Sequence, residues 1–213
     1  MQPTPDQRPG IGTLIFSDDF SDPSAWMQSH TEAGSVTVVI NELTIAITED
    51  YERTYLFSVR SQPVFSNFYM EITASPSLCR DKDEYGLLLR VSPDLAYYRF
   101  LLSCDGYVRL DRLVEGKDSS PQPWLRSGSV PLGAPSTVRL GVWAYGKEMR
   151  FFVNDEYQFT VRDPLLLNGG FGVFARSAGD MAVTVNFSAL NVYELSDPTS
   201  AQPTDTPAVT PTP

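Results

Sequence analysis

Hydrolysis of a glycosidic bond needs two carboxylates facing each other across a sugar, about 5–5.5 Å apart for a retaining mechanism. On a single strand face such a pair appears as E-x-D or E-x-x-x-E, and the 213-residue sequence contains neither. Glu71 stands alone in NFYMEITAS, Asp111 alternates with Arg109 rather than with another acid, and Glu115, Glu148 and Glu156 fall at turns. His30 is the only histidine, so a Ser-His-Asp triad or a histidine metal site has to use it. It lies in the polar stretch QSHTEAG, which reads as a solvated loop. Two cysteines and one histidine lack any zinc-ligand spacing. Two acidic clusters, Asp18/Asp19/Asp22 and Asp81/Asp83/Glu84, supply oxygen ligands of the kind calcium takes, yet neither matches an EF-hand loop.

A different chemistry emerges from period-two alternation in residues 85–113 and 137–153. One face collects Leu87, Leu89, Tyr98, Phe100, Leu102, Val108, Leu110, Val138, Leu140, Val142, Phe151 and Val153, which is a core. The other collects Arg90, Tyr97, Arg99, Tyr107, Arg109, Asp111, Arg139, Trp143, Arg150 and Phe152, with Trp124 in a neighbouring loop as a rim. Guanidinium groups offer planar, bidentate donors and aromatic rings stack on sugar faces. The face therefore reads as a ligand groove made of Arg90, Tyr97, Arg99, Tyr107, Arg109, Arg139, Trp143, Arg150 and Trp124. The competing expectation is a solvated outer side whose arginines pair with local acids.

Strands must position these residues. Tyr85–Val91, Tyr97–Cys104 and Tyr107–Leu113 form a meander turned by Pro93-Asp94 and by Asp105-Gly106, a strong hairpin signal. Further strand patterns occupy Thr13–Phe16, Val36–Ile40, Leu43–Thr48, Thr54–Arg60, Asn67–Ser75, Thr137–Tyr145, Met149–Val153, Tyr157–Val161, Phe171–Ala175 and Ala182–Leu195. About twelve strands with frequent turns and no sustained helical period predict an antiparallel two-sheet sandwich. The proline-rich stretch 114–136 is expected to hold no long regular element. Residues 13–195 read as one β-sandwich domain between Pro/Thr-rich linkers at 1–12 and 196–213.

The net charge of −10 opposes a general nucleic-acid binder, and no apolar run is long enough for membrane insertion. No apolar leader segment follows Met1, and the Pro/Thr-rich ends suggest a module of an exported protein, extracellular or at the cell surface. In the register set by the Pro93-Asp94 turn, Cys104 faces about residue 84, with Cys79 just upstream. A Cys79–Cys104 disulfide there adds ~3 kcal/mol on loop-entropy grounds. Two buried free thiols are the alternative.

In order along the chain stand Asp18-Asp19-Phe20 before Trp26, Tyr85–Arg90, Tyr98-Arg99-Phe100, Asp105-Gly106-Tyr107, Val138-Arg139-Leu140, Phe152–Asp155 and Gly170–Val173. Over residues 13–195 this pattern resembles the concanavalin A-like lectin/glucanase superfamily, in its laminin-G-like and keto-disaccharide-hydrolase-like branch of bacterial secreted modules. The resemblance implies a jelly-roll β-sandwich whose concave sheet often binds glycans. It also implies, in some members, a structural calcium ion held where the first strand meets the last, which here points to Asp19 and Asn186; the usual aspartate at the second position is Asn. No cofactor is required. The function expected is a non-catalytic, exported carbohydrate-binding or surface-recognition module for an oligo- or polysaccharide, with an acidic glycan suiting the arginines. A structural or adhesion spacer that contacts a surface protein is the second expectation, and a glycoside-hydrolase-like enzyme the third.

Overall fold

Alternating apolar residues and tight turns dictate strands along nearly the whole chain, and the computed structural model describes residues 6–48, 51, 53–179 and 181–197. In chain order the strands are β1 (Ile11–Asp18), β2 (Ser29–Thr31), β3 (Gly34–Val39), β4 (Glu42–Ile47), β5 (Tyr55–Phe65), β6 (Phe68–Leu78), β7 (Glu84–Val91), β8 (Tyr97–Ser103), β9 (Tyr107–Val114), β10 (Lys117–Arg126), β11 (Val138–Tyr145), β12 (Glu148–Val153), β13 (Glu156–Arg162), β14 (Gly169–Arg176) and β15 (Val183–Leu195). One short 3-10 turn, Pro23–Ala25, precedes Trp26. Residues 1–5 and 198–213, which hold most of the expected linkers, lie outside the described residues.

The described residues form two antiparallel sheets. The nine-stranded sheet runs β13-β12-β11-β6-β15-β4-β3-β2, with β1 also paired to β15; the six-stranded sheet runs β10-β9-β8-β7-β14-β5. Between them lies the core, with Phe100, Phe151, Phe187, Leu43, Ile45 and Tyr85 fully buried. Each sheet carries a smaller apolar cluster on its outer face: Leu88, Val91, Tyr97, Leu101 and Phe174 on the six-stranded sheet, and Tyr69, Trp143 and Phe152 on the nine-stranded one. Antiparallel sheets alternate inward and outward side chains, so the inner set is the core face expected from the sequence.

Two expectations are corrected. Residues 114–136 do hold a regular element, β10, despite Pro121 and Pro123. It is the outermost strand of its sheet, and its ladder to β9 slips between Ser119 and Gln122 and between Gln122 and Leu125, around the two prolines. An edge strand tolerates a residue without an N–H, and proline there also blunts the edge against pairing with other chains. The second correction concerns the Arg/aromatic face. β8 and β9 belong to the six-stranded sheet whereas β11 and β12 belong to the nine-stranded one, so the expected single face is two faces on opposite sides of the sandwich.

Cys79 and Cys104 form the expected disulfide, with 5.9 Å between their Cα atoms. The register is one residue from that expected: Ser103 faces Glu84, and the Cys104 N–H donates to the Asp83 carbonyl at 3.0 Å.

Candidate functional site

The outer face of the six-stranded sheet receives Tyr97 and Arg99 from β8, Tyr107, Arg109 and Asp111 from β9, and Trp124 from β10. Cross-strand pairing sets Arg99 directly opposite Asp111. Arg99 Nη2 donates to Asp111 Oδ2 at 3.0 Å, Arg109 Nε donates to Asp111 Oδ1 at 2.5 Å, and Ser120 Oγ donates to Oδ1 at 2.7 Å. Asp118 lies 3.7 Å from Arg99. One buried carboxylate thus fixes two guanidinium groups, which hold their rotamers through charge-assisted bonds.

Both guanidinium groups also lie on rings. Arg99 sits over Tyr55 and Phe174, at 5.4 and 5.9 Å from the ring centroids, and Arg109 sits over Trp124 at 5.4 Å. Tyr55 and Phe57 arrive on β5, which pairs with β14, so the aromatic row continues across the sheet. The Tyr55 hydroxyl and Arg99 Nε are buried, with Tyr97 and Arg99 beside the hydroxyl, so what the face presents outward is the partly exposed Arg109 guanidinium and the Trp124 ring.

At one end of this face lies a hollow of about 260 Å³ lined by Lys82, Glu84, Ser103, Asp105, Tyr107 and Trp124. Burial pushes the Glu84 carboxyl above its ordinary value, against the opposing pull of Arg176, whose Nη1 lies 3.4 Å away. Asp105 accepts from Ser103 Oγ at 2.5 Å. Toward the other end Phe57, Val59, Val91 and Leu95 help line a second, more apolar hollow. Lys82, Asp105, Tyr55, Phe57 and Phe174 were not among the site residues expected from the sequence, and Glu84 entered there only as a member of the Asp81/Asp83/Glu84 acidic cluster. The alternation YLFSV at 55–59 signals a strand, but nothing local in it says which sheet receives it.

Other expected site residues lie elsewhere. Arg90 is buried: its guanidinium donates to the carbonyls of Leu166 (2.8 Å), Gly146 (2.8 Å) and Ser66 (3.2 Å). A bulge produces this. Arg90 has φ +52°, and the β7–β14 register slips beside it. Its backbone sits so close to Gly169 that a Cβ there would fall 2.3 Å from the Arg90 carbonyl carbon. The bulge turns Arg90 away from the outer face and makes it a clasp between three connecting segments.

Arg139, Trp143 and Arg150 lie on the outer face of the nine-stranded sheet. Arg150 stacks on Trp143 at 4.5 Å and pairs with Glu148 at 2.7 Å, and Arg139 pairs with Asp155. A strap, residues 7–9, crosses this face: Trp143 Nε1 donates to the Pro9 carbonyl at 2.9 Å and Arg150 Nη1 to the Gln7 carbonyl at 3.0 Å. Trp143 is consequently buried.

Asp19 and Asn186 are not joined into one ligand set. The Asp19 carboxylate accepts from the Ser21 N–H at 3.0 Å and is exposed. Asn186 Oδ1 accepts from Thr44 at 3.0 Å, and β1 meets β15 no closer to it than the pairing of Asp18 with Leu190. The neighbouring Asp18 carries the structural load, accepting from Trp26 Nε1 at 3.0 Å and pairing with Arg60 at 2.9 Å. Among the described residues no group of three or more His, Cys, Asp or Glu converges as metal ligands would. His30 is exposed on β2.

No protein-family model and no curated protein sequence matches the chain. Solved structures match its fold. The carbohydrate-binding module CBM66 of Bacillus subtilis is 15% identical with a TM-score of 0.57, covering 81% of this chain and 98% of its own. The catalytic domain of an endo-1,3-beta-glucanase (laminarinase) from Thermotoga petrophila is 11% identical with a TM-score of 0.61, covering 87% and 98%. A Bacillus subtilis protein of unknown function with a galectin-like fold is 11% identical with a TM-score of 0.63, covering 86% and 97%. The fold is that of the concanavalin A-like jelly-roll sandwiches.

Proposed function

We propose that the chain is a non-catalytic, exported glycan-binding module whose site is the outer face of the six-stranded sheet. One observation carries this reading. Arg99 and Arg109 are held on Asp111 beside Trp124 and above Tyr55, and the Arg109 guanidinium and the Trp124 ring stacked on it remain partly open to solvent. Rings for stacking beside rotamer-locked polar groups are what a sugar's apolar face and hydroxyls need. Similar structures named for carbohydrate binding and for glucan hydrolysis support a glycan as the ligand class. The disulfide supports export, because such bonds persist in oxidising compartments. The partners proposed are oligo- or polysaccharides, and the arginines admit acidic ones as well as neutral ones.

The test is a thermal-shift screen against neutral and acidic polysaccharides, with calcium and with chelator. Stabilisation by a glycan that disappears in Trp124→Ala supports the reading. A flat response across the panel overturns it in favour of a spacer that contacts surface proteins. A shift with calcium alone identifies a structural ion and likewise leaves the glycan reading without support.

A second reading rests on a separate observation. Glu84 and Asp105 line the same hollow, and burial raises the Glu84 carboxyl above its ordinary value, as a general acid requires. Release of a chromophore from aryl glycosides, abolished in Glu84→Gln, would establish hydrolysis. No release with any glycoside that binds would leave the module non-catalytic.

A further inference from the structure

The outer face of the nine-stranded sheet is built around an arginine. Arg8 lies over the rings of Phe152 (5.4 Å) and Tyr69 (5.7 Å), donates to Tyr69 Oη at 3.2 Å, and pairs with Asp155 at 3.1 Å. Two aromatic faces with a carboxylate at the rim form a cage suited to a guanidinium. The residues on either side of Arg8 are held by their backbones, since Arg150 and Trp143 donate to the carbonyls of Gln7 and Pro9. Proline at position 9 favours the extended chain that presents these carbonyls on one side. Beneath the strap, Tyr69, Trp143 and Phe152 are buried, backed by Tyr145, Tyr193 and Leu195. At its end Gly10 accepts from the Ser196 N–H at 2.9 Å, tying the strap to the exit of β15.

We infer that this face is a peptide-recognition site for an arginine in an extended segment, and that the chain's own residues 7–9 occupy it. The side-chain cage selects arginine, and the two carbonyl clamps read the backbone whatever its sequence. The occupant is the chain's own segment. At the roughly millimolar effective concentration of a short tether, it excludes the same peptide supplied from solution. The strap also fixes where the chain enters the fold, on the side away from the outer face of the six-stranded sheet.

The experiment uses the full chain and a labelled peptide of the sequence Asp-Gln-Arg-Pro-Gly. Binding is read by fluorescence anisotropy and by the Trp143 indole peak in a two-dimensional NMR spectrum. Wild type should not bind the peptide. Arg8→Ala should shift the Trp143 peak and should bind the peptide, restoring the peak toward its wild-type position. The double variant Arg8→Ala/Asp155→Asn should bind about tenfold more weakly, and a peptide with alanine in place of arginine should not bind. An Arg8→Ala spectrum identical to wild type at Trp143, or equal binding of the alanine peptide, would overturn the inference. Cooperative melting within a few degrees of wild type and native amide dispersion in the variants confirm folding, and Arg8→Lys, which keeps the charge but loses the planar fork, should be intermediate.

Discussion

The two outer faces of the sandwich use the same residue types to opposite ends. On the nine-stranded sheet the arginines and aromatics are closed over: Arg150 stacks on Trp143, Arg139 meets Asp155, and the strap of residues 7–9 satisfies the indole N–H. On the six-stranded sheet Arg99 and Arg109 are fixed just as firmly by Asp111, yet Trp124 is 38% exposed and the Arg109 guanidinium stacked on it is partly open to solvent. What separates a structural face from a candidate binding face is what remains uncovered once the side chains have paired. The number of arginines and rings does not distinguish them.

Substitutions can break this contrast in order of expected effect. Trp143→Ala removes a buried indole and orphans the Pro9 carbonyl, and should lower stability by about 3–5 kcal/mol in urea unfolding without altering glycan binding. Asp111→Ala leaves two guanidinium groups facing each other on the opposite side. It should cost about 3 kcal/mol and abolish glycan binding as well, so stability and binding fall together only on that face. Arg8→Ala loses a partly exposed ion pair and two cation–π contacts, for about 1 kcal/mol, with glycan affinity unchanged. Trp124→Ala should leave stability within about 0.5 kcal/mol while glycan affinity falls, the inverse of Trp143→Ala.

Glu84 sharpens the contrast through pH. Its carboxyl is raised in the folded state, so its contribution is most favourable below its ordinary value of 4.5 and is lost as pH rises through the raised value. Glu84→Gln should therefore melt higher than wild type at neutral pH, with the difference vanishing below 4.5. A variant that melts lower at neutral pH would show that the Arg176 pairing outweighs burial.

Much of the fold was legible because turn chemistry is local. Asp105-Gly106 places β8 against β9, alternation in Asn67–Ser75 gives β6, and the spacing of Cys79 and Cys104 in that frame brings the sulfurs together. β10 was hidden because its two prolines are the usual mark of a loop, and only its place at a sheet edge makes them tolerable. The site was half legible for a related reason. Period two tells which residues of a strand share a side, but sheet membership depends on long-range pairing. The crossing from β10 to β11 carries the chain to the opposite sheet. Residues expected on one groove were thereby divided, with Tyr97, Arg99, Tyr107, Arg109 and Trp124 on one side and Arg139, Trp143 and Arg150 on the other. Arg90 left both, since a bulge with positive φ cannot be read from an apolar run.

The most direct test of the account is isothermal titration of the best-binding polysaccharide into wild type, Trp124→Ala and Arg8→Ala. The account predicts that Trp124→Ala weakens binding about tenfold or more while Arg8→Ala stays within about twofold of wild type. Loss of binding in Arg8→Ala with Trp124→Ala unaffected would place the glycan on the strapped face and contradict it.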